Sequence, residues 1–198
     1  MKSLNSVVRG HAPRSLLGIA IATAMLWSAG ALAQQAVTLR LGHVGFPGSL
    51  FDISANKFAK DVNEALKGKV EVRVFHSSQL GSDEAMIKGL RVGAPEMQVP
   101  STIMSTVDQR HGVFEMPYLI VSRAHMKKVS ESREVQKVLV DPLPARGVRV
   151  LAFWENGFRH ITNNVRPIVR PEDLKGIKLR VPGGVWRVKM FQAYGANP

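Results

Sequence analysis

The chain has 198 residues and a formal net charge of +12 at neutral pH, from 27 lysines and arginines against 15 acidic residues. It contains no cysteine, which excludes disulfide bridges, thiolate zinc sites and thiol catalysis. Its six histidines show no HExxH or comparable spacing, so we predict neither a metal site nor a cofactor.

The first 33 residues have the pattern of a secretory signal peptide. Lys2, Arg9 and Arg14 form a basic start, residues 16–27 are uncharged and mostly apolar, and Ala31-Leu32-Ala33 offers a small-x-small cleavage site. We therefore predict export to the periplasm. The apolar run is short for a transmembrane helix, although an uncleaved anchor is the alternative. No later stretch is long and apolar enough to span a bilayer, so the mature product is not expected to span the membrane.

The positive charge persists after the leader. Three of the 27 basic residues and none of the 15 acidic residues precede residue 34, so the remainder carries +9. The basic residues are scattered and form no RNP-type motif, and export also argues against nucleic acid as a partner. Two interpretations remain: an anionic ligand, or a basic surface without a specific partner.

The first part of the mature chain predicts an α/β fold. Residues 37–44 alternate as a strand does, Ser49 is a good helix N-cap, and apolar residues then recur at helical spacing as far as Gly68. The segment 70–75 is the clearest strand. Strand, helix and strand at these lengths form a βαβ unit with a parallel strand pair.

The same order continues along the chain. Ser82 is predicted to cap a helix that ends before Gly93, and a short strand is predicted at 96–99. Short helices are predicted at 102–107, 124–129 and 134–140. The apolar segment 148–154 is predicted to be a strand buried on both faces.

A strand with an arginine near its end is predicted at 177–181. Ile177, Leu179 and Val181 alternate with Lys178 and Arg180, which puts the aliphatic side chains on one face and the cations on the other. Ligands bind at the carboxyl ends of strands in open α/β sheets, and a guanidinium fork suits a carboxylate. The alternative is a solvated cation on an edge strand. A helix is predicted to follow at 185–194, ended by Gly195.

Six segments of the chain, taken in order, are similar to motifs of one known family. They resemble the solute-binding proteins of tripartite ATP-independent periplasmic (TRAP) transporters, of the C4-dicarboxylate-binding type. The segments are 78–81 (SQLG), 93–97 (GAPEM), 116–119 (MPYL), 157–163 (GFRHITN), 173–182 (DLKGIKLRVP) and 195–198 (GANP).

This resemblance implies a two-lobed α/β binding protein that closes on an organic acid. It implies delivery of that acid to TRAP membrane permease subunits driven by an ion gradient. The expected domains are a signal peptide at 1–33, a first lobe at 34–156, and the inter-lobe crossing and start of a second lobe at 157–198. The first lobe is expected to be nearly complete in its N-terminal strands, and the second lobe to be truncated.

The resemblance also implies which residues bind the ligand. Arg180 corresponds to the carboxylate-clamping arginine of the family, and Arg159 corresponds to a second arginine beside the cleft. Pocket-lining positions of the first lobe correspond to the loop from Phe46 to Ser49, to Ser101 and to His76.

Each of these residues also has a structural interpretation. Ser49 and Ser101 could be helix caps only, His76 could be an exposed loop residue, and Phe46 could be a core or hinge aromatic. Arg159 could pair with Glu155 or Asp173.

Two other functions are alternatives to solute binding. A truncated remnant without binding activity is one, because the second lobe has only one strand and one helix in this chain. A secreted enzyme is the other, but the chain has no GxSxG motif and no carboxylate pair at a plausible spacing, so we do not predict catalysis.

Overall fold

A computed structural model describes residues 36–198, so the signal peptide predicted at 1–33 lies outside the described residues. A parallel three-stranded sheet is formed by β1 (Val37–Gly42), β2 (Val70–Phe75) and β3 (Met97–Gln98), in the order β2-β1-β3. Helix α1 (Leu50–Ala65) connects β1 to β2, and α2 (Asp83–Leu90) connects β2 to β3. The predicted βαβ order and α/β class are therefore confirmed.

The apolar core lies between this sheet and α1. Leu41 and Val72 come from the two long strands, and Ala55 and Ala59 come from one face of α1. All four side chains are buried. The small alanines let the helix approach the sheet closely, and partly buried aliphatic and aromatic residues complete the layer.

Helix α1 begins as its sequence predicts. The Ser49 Oγ accepts a hydrogen bond from the Asp52 backbone N–H at 3.3 Å, and the Asp52 carboxylate accepts one from the Gly48 N–H at 2.9 Å. The first bond satisfies a donor that the start of the helix would leave unpaired, and the second ties the residue before the N-cap to the first turn. Gly68 follows the helix with a φ of +78°, a conformation that favours glycine.

The chain from β3 to residue 147 is mainly helical. It contains two 3₁₀ helices, Met104–Thr106 and Gln109–Glu115, then α3 (Arg123–Glu131) and α4 (Arg133–Val135). A π-helical turn at Gln136–Val140 continues α4. The predicted helices at 124–129 and 134–140 are thus present, whereas the helix predicted at 102–107 is a single 3₁₀ turn.

The prediction of a strand at 148–154 is wrong. Val148 is buried, but Leu151 is 67% exposed and the segment forms no strand. A strand requires a hydrogen-bonded neighbour, and no segment of the described chain pairs with it. Its apolar sequence indicates a preference for burial, but most residues of the segment are exposed.

The predicted strand at 177–181 is reduced to one bridge. Lys178 pairs in parallel with Asn197, supported by the Leu179 N–H bond to the Asn197 carbonyl at 2.9 Å. The alternation nevertheless holds, because Ile177 is buried while Lys178 and Arg180 are exposed. A 3₁₀ helix at Pro171–Leu174 precedes this segment, and α5 (Val185–Ala193) follows it.

Candidate functional site

Arg159 makes the most specific contacts among the predicted site residues. Its Nη2 donates to the Ser101 Oγ at 3.0 Å and to the Thr102 Oγ1 at 2.7 Å. Ser101 and Thr102 follow Pro100 just after β3, at the carboxyl end of the sheet. The structure therefore brings Arg159 and Ser101 together across 58 residues of sequence.

A buried aspartate fixes the loop that carries Ser101. Asp83, the first residue of α2, accepts the Ser101 backbone N–H at 3.2 Å and the Gln98 Nε2 at 3.0 Å. Burial raises the pKa of the Asp83 carboxyl, and these two hydrogen bonds oppose that rise. Asp83 thus ties the end of β3 to the start of α2 and positions the serine that contacts Arg159.

Arg159 has charged groups of both signs around it. Its side chain is accessible to solvent. Partial burial of the guanidinium nevertheless lowers its pKa, and the positive charge of Arg187 lowers it further. Arg180 adds a smaller lowering effect, while Glu115 and Asp83 act in the opposite direction. An arginine stays protonated at neutral pH despite such a shift, so Arg159 keeps its positive charge.

The alternative pairing of Arg159 with Glu155 or Asp173 is not formed. Glu155 pairs with Arg123, with 2.7 Å between Oε1 and Nε. Asp173 accepts the backbone N–H groups of Val169 and Arg170. Within residues 36–198 no carboxylate forms an ion pair with Arg159, and its two hydrogen-bond partners are neutral hydroxyls.

Arg180 lies within electrostatic reach of Arg159 and is exposed. Burial dominates the raised pKa of Asp83, and a backbone hydrogen bond dominates the lowered pKa of Glu84. Arg180 makes a smaller lowering contribution to both carboxyls, and to the pKa of Arg159 after burial and Arg187. The structure thus brings Arg180, Arg159 and Ser101 into one neighbourhood. A solvent-accessible guanidinium there can bind an anion without first breaking an ion pair.

Within residues 36–198, no hydrogen bond joins the other three predicted residues to Arg159. Ser49 caps α1, and His76 places its Nδ1 3.0 Å from the Ser77 Oγ. Phe46 is 75% exposed, so it is not a core aromatic.

Two residues of this neighbourhood were missed by the sequence analysis. Arg187, in the first turn of α5, is 4% exposed, and Glu115, the last residue of its 3₁₀ helix, is 6% exposed. The residues of α5 show no clear apolar face, so the sequence did not indicate which side chains of the helix point inward. An arginine inside an otherwise largely apolar helix was the only signal.

Two further features bear on the kind of site that residues 36–198 can form: candidate metal ligands and membrane-spanning helices. No group of three or more histidine, aspartate or glutamate side chains there is arranged to hold a metal ion. None of the helices between residues 36 and 198 combines the length and the apolar character needed to cross a bilayer.

A parallel α/β sheet with cations near the carboxyl ends of its strands is an arrangement found in binding proteins for small anions. The profile of bacterial extracellular solute-binding protein family 7, DctP, matches residues 41–198. The chain belongs to this family.

Similar proteins of known name or structure agree with this assignment. The chain is 34% identical over 179 residues to the 2,3-diketo-L-gulonate-binding periplasmic protein YiaO of Escherichia coli K12, covering 90% of this chain and 54% of that protein. It superposes with a TM-score of 0.78 on the sugar acid binding protein DctPAm of Advenella mimigardefordensis in complex with galactonate. That match has 34% identity and covers 82% of this chain and 53% of DctPAm.

A third similar protein binds a different kind of acid. It is a TRAP periplasmic solute-binding protein of Sulfurospirillum deleyianum with bound succinate, with a TM-score of 0.76 and 33% identity. The match covers 83% of this chain and 53% of that one. The chain therefore spans about half the length of the relatives it matches.

Proposed function

We propose that this protein is a periplasmic solute-binding protein of a TRAP transporter that captures an organic acid. The observation that carries the proposal is Arg159, whose guanidinium is oriented by Ser101 and Thr102 and is not neutralised by a carboxylate within residues 36–198. Neutral hydroxyls fix the direction of the side chain and leave its charge for a ligand.

The proposed roles follow from exposure and contact. Arg180, which is exposed, would bind the ligand carboxylate with both prongs of its guanidinium. Arg159 would provide a second cation, held in place by Ser101. Phe46, Ser49 and His76 are proposed to line the ligand site from the first lobe, at 34–156, while 157–198 would cross to the second lobe.

The proposed cellular context comes from the family and the leader. Residues 1–33 would direct export to the periplasm. The loaded protein would deliver its ligand to TRAP permease subunits in the membrane. Binding and delivery involve no chemical step, so we propose a transport role and no catalytic one.

The test is ligand binding by Arg180 variants, measured by calorimetry over a panel of organic acids. We expect Arg180→Ala to abolish carboxylate binding. Closure of the protein on its ligand would enclose the pair, and loss of one partner of an enclosed charged pair costs on the order of 2–5 kcal/mol. Arg180→Lys should weaken binding, because the two-pronged geometry is lost. Lys178→Ala is the matched control, since it removes an exposed cation two residues away.

Unchanged affinity of Arg180→Ala would remove this residue from the site. Failure of the unmodified protein to bind any acid of the panel would overturn the proposal.

A further inference from the structure

His43 lies beneath the two loops that carry the first-lobe residues proposed to line the ligand site. It follows β1 directly, and its side chain is 0% exposed. The loop 44–49 leads from it to α1, and the loop 76–79 follows β2. Both loops lie at the carboxyl end of the parallel sheet, where open α/β folds bind their ligands. The proposed ligand-lining residues of these loops are Phe46, Ser49 and His76.

The backbone next to His43 fastens the loop 76–79. The His43 carbonyl accepts the Ser78 N–H at 3.1 Å, and the Gly45 carbonyl accepts the Ser77 N–H at 2.8 Å. Ser77 and Ser78 have φ angles of +49° and +62°, a left-handed conformation that is unfavourable for residues other than glycine. These two bonds help to hold that conformation, so the loop depends on the position of His43 and Gly45.

The His43 side chain is tightly packed and lacks hydrogen bonds. Neither ring nitrogen has a hydrogen-bond partner within residues 36–198. The ring stacks on Phe51, with 6.3 Å between the centroids and 21° between the planes. A Cβ on Gly45 would lie 3.3 Å from the His43 Nδ1 and 2.7 Å from the Phe51 Cβ. The imidazole therefore packs directly beside the backbone of the loop 44–49.

A carboxylate of α1 lies close to the ring but is already engaged. The Asp52 Oδ1 lies 3.7 Å from the His43 Nε2, which is too far for a hydrogen bond. This oxygen accepts the Asn56 Nδ2 at 2.8 Å, and the Oδ2 accepts the Gly48 N–H at 2.9 Å. While His43 is uncharged, Asp52 thus remains available to hold the loop 44–49 through Gly48.

A proton on His43 would compete for that carboxylate. Burying an imidazolium is costly unless it pairs with an opposite charge. The titratable groups that face the ring are Asp52 of α1 and His76 after β2, and only Asp52 can offset the charge. Closing the 3.7 Å gap to a hydrogen-bond length of about 3.0 Å shifts the carboxylate that Gly48 and Asn56 share. The loop 44–49 then loses its tie to α1.

Burial sets the pH range of this competition. Burial lowers the pKa of His43 below the ordinary 6.5, Asp52 opposes the shift, and His76 adds to it. With a lowered folded-state pKa, the stability contributed by the neutral ring is present above about pH 6.5. This contribution is lost as the pH falls toward the folded-state pKa. The loop should therefore be held at neutral pH and released in mild acid.

We propose that His43 is a positioning residue of the ligand site, whose uncharged imidazole holds the loops 44–49 and 76–79 in place and whose protonation releases them. This inference rests on the proposed acid-binding function and adds a pH dependence to it. Mild acid weakens capture of the ligand even when the ligand stays fully ionised.

The first test follows the unmodified protein by NMR without a ligand. The His43 ring should titrate below pH 6.5, and the Gly48 amide proton shift should change with the same midpoint, because this amide loses its carboxylate partner. The Ala85 amide, which donates to the Ser82 Oγ at the start of α2, is the control and should not follow the titration. A Gly48 amide that ignores the titration of His43 would overturn the coupling.

The second test measures affinity by calorimetry at about pH 8 and about pH 5.5, on either side of the ordinary histidine pKa. The probes are galactonate and fumarate, whose carboxyl groups stay ionised across this range. The unmodified protein should bind a probe about threefold or more weakly at the lower pH. His43→Gln carries no charge at either pH and should remove this dependence. His125→Gln, in α3, is the matched control and should retain it.

A second variant keeps the inference testable if His43→Gln does not fold, which urea denaturation checks. Asp52→Asn still offers an oxygen to the Gly48 N–H but no longer attracts an imidazolium. The pKa of His43 should fall further in this variant, so the loss of affinity should move to lower pH. A loss of affinity at the same pH as in the unmodified protein would overturn the inference.

The outcomes separate this inference from the function on which it rests. Equal affinity of the unmodified protein at both pH values would overturn the role of His43 and leave acid binding intact. A pH dependence that persists in His43→Gln and disappears in His76→Gln would also overturn it, because His76 would then be the titrating group. Absence of binding by both probes at both pH values would overturn the proposed function, and the NMR titration would still decide whether His43 holds the loop.

Discussion

Arg110 and Arg159 carry the same charge but have different partners. Arg110 donates to the Asp108 carboxylate and holds the pKa of that carboxyl well below its usual range. Arg159 instead donates to two hydroxyls, so its hydrogen bonds orient it without neutralising it. An ion-paired arginine stabilises its own neighbourhood, whereas an oriented and unneutralised one can hold an anion.

The hydroxyls of Ser101 and Thr102 are expected to matter through Arg159. The double substitution Ser101→Ala with Thr102→Val should weaken acid binding about tenfold, because the guanidinium loses the two bonds that fix its direction. Calorimetry measures the change. Ser130→Ala, whose hydroxyl bonds only a carbonyl of α3, is the control and should bind like the unmodified protein.

Ser49 has a cap role in the structure and a proposed ligand role, and two substitutions distinguish them. Ser49→Ala should lower the free energy of unfolding by about 1 kcal/mol through loss of the α1 N-cap, while Ser49→Asn should retain most of it. Urea denaturation measures both variants. If Ser49 also touches the ligand, both substitutions should weaken binding. If neither substitution lowers the affinity, the role of Ser49 is limited to capping α1.

At the scale of elements, an ion pair joins β1 to the residue ahead of β3. Arg40 contacts both carboxylate oxygens of Glu96, with Nη2 to Oε1 at 2.8 Å and Nε to Oε2 at 2.9 Å. This pairing lowers the pKa of Glu96 from 4.5 to about 2. Because β3 is only two residues long, the pair supplements the few backbone bonds that hold it to β1.

The Arg40–Glu96 pair should contribute to stability in a pH-dependent way. A lowered folded-state pKa means that the contribution is present above about pH 4.5 and is lost as the pH falls toward about 2. Both side chains are partly exposed, so Glu96→Gln should cost about 1 kcal/mol or less at pH 7. Urea denaturation of Glu96→Gln and the unmodified protein should converge near pH 2, and Glu172→Gln should show no such convergence.

The start of α5 packs directly on the 3₁₀ helix at 109–115. A Cβ at Gly112 would lie 2.1 Å from the Cδ1 of Trp186, so the indole rests on the glycine backbone. Gly112→Ala should therefore lower the free energy of unfolding by about 1–3 kcal/mol through overpacking. In a Trp186→Ala background the same change should be nearly neutral, since the clash is gone. An equal loss in both backgrounds would place the cost in the 3₁₀ backbone.

Helices and strands with local signals were predictable, and those that depend on distant partners were not. Caps at Ser49 and Ser82 and the alternation at 70–75 specified their elements within a few residues. The segment 148–154 has the composition of a buried strand, but composition does not supply the neighbour that a strand must bond. For the same reason 177–181 keeps its alternation of burial and forms a single bridge.

At the scale of the whole molecule, the candidate site combines residues that lie far apart in the sequence. The Arg180 and Arg159 motifs were recognisable in the sequence, and the contact of Arg159 with Ser101 joins two of the predicted residues. The burial of Glu115 and Arg187 was not predictable, because it depends on the packing of α5 against the 3₁₀ helix at 109–115. Only the folded chain shows that both are buried with an unpaired atom each.

The net charge of the molecule should accelerate capture of an anion. The chain after residue 33 carries +9, and Arg180 is exposed near the proposed site. Raising the ionic strength from about 0.01 M to about 0.1 M shortens the screening length from about 30 Å to about 10 Å. The association rate constant of an acidic ligand should therefore fall severalfold while its dissociation rate constant changes little. Stopped-flow tryptophan fluorescence measures both, since Trp186 adjoins Arg187.

Two Arg180 variants separate steering by charge from binding by geometry. Arg180→Lys keeps the charge, so it should retain the salt dependence of association and lose affinity through faster dissociation. Arg180→Gln removes the charge, so the salt dependence should become shallower. If salt changed only the dissociation rate constant in every variant, the charges would act within the formed complex alone, and the long-range field would play no part in capture.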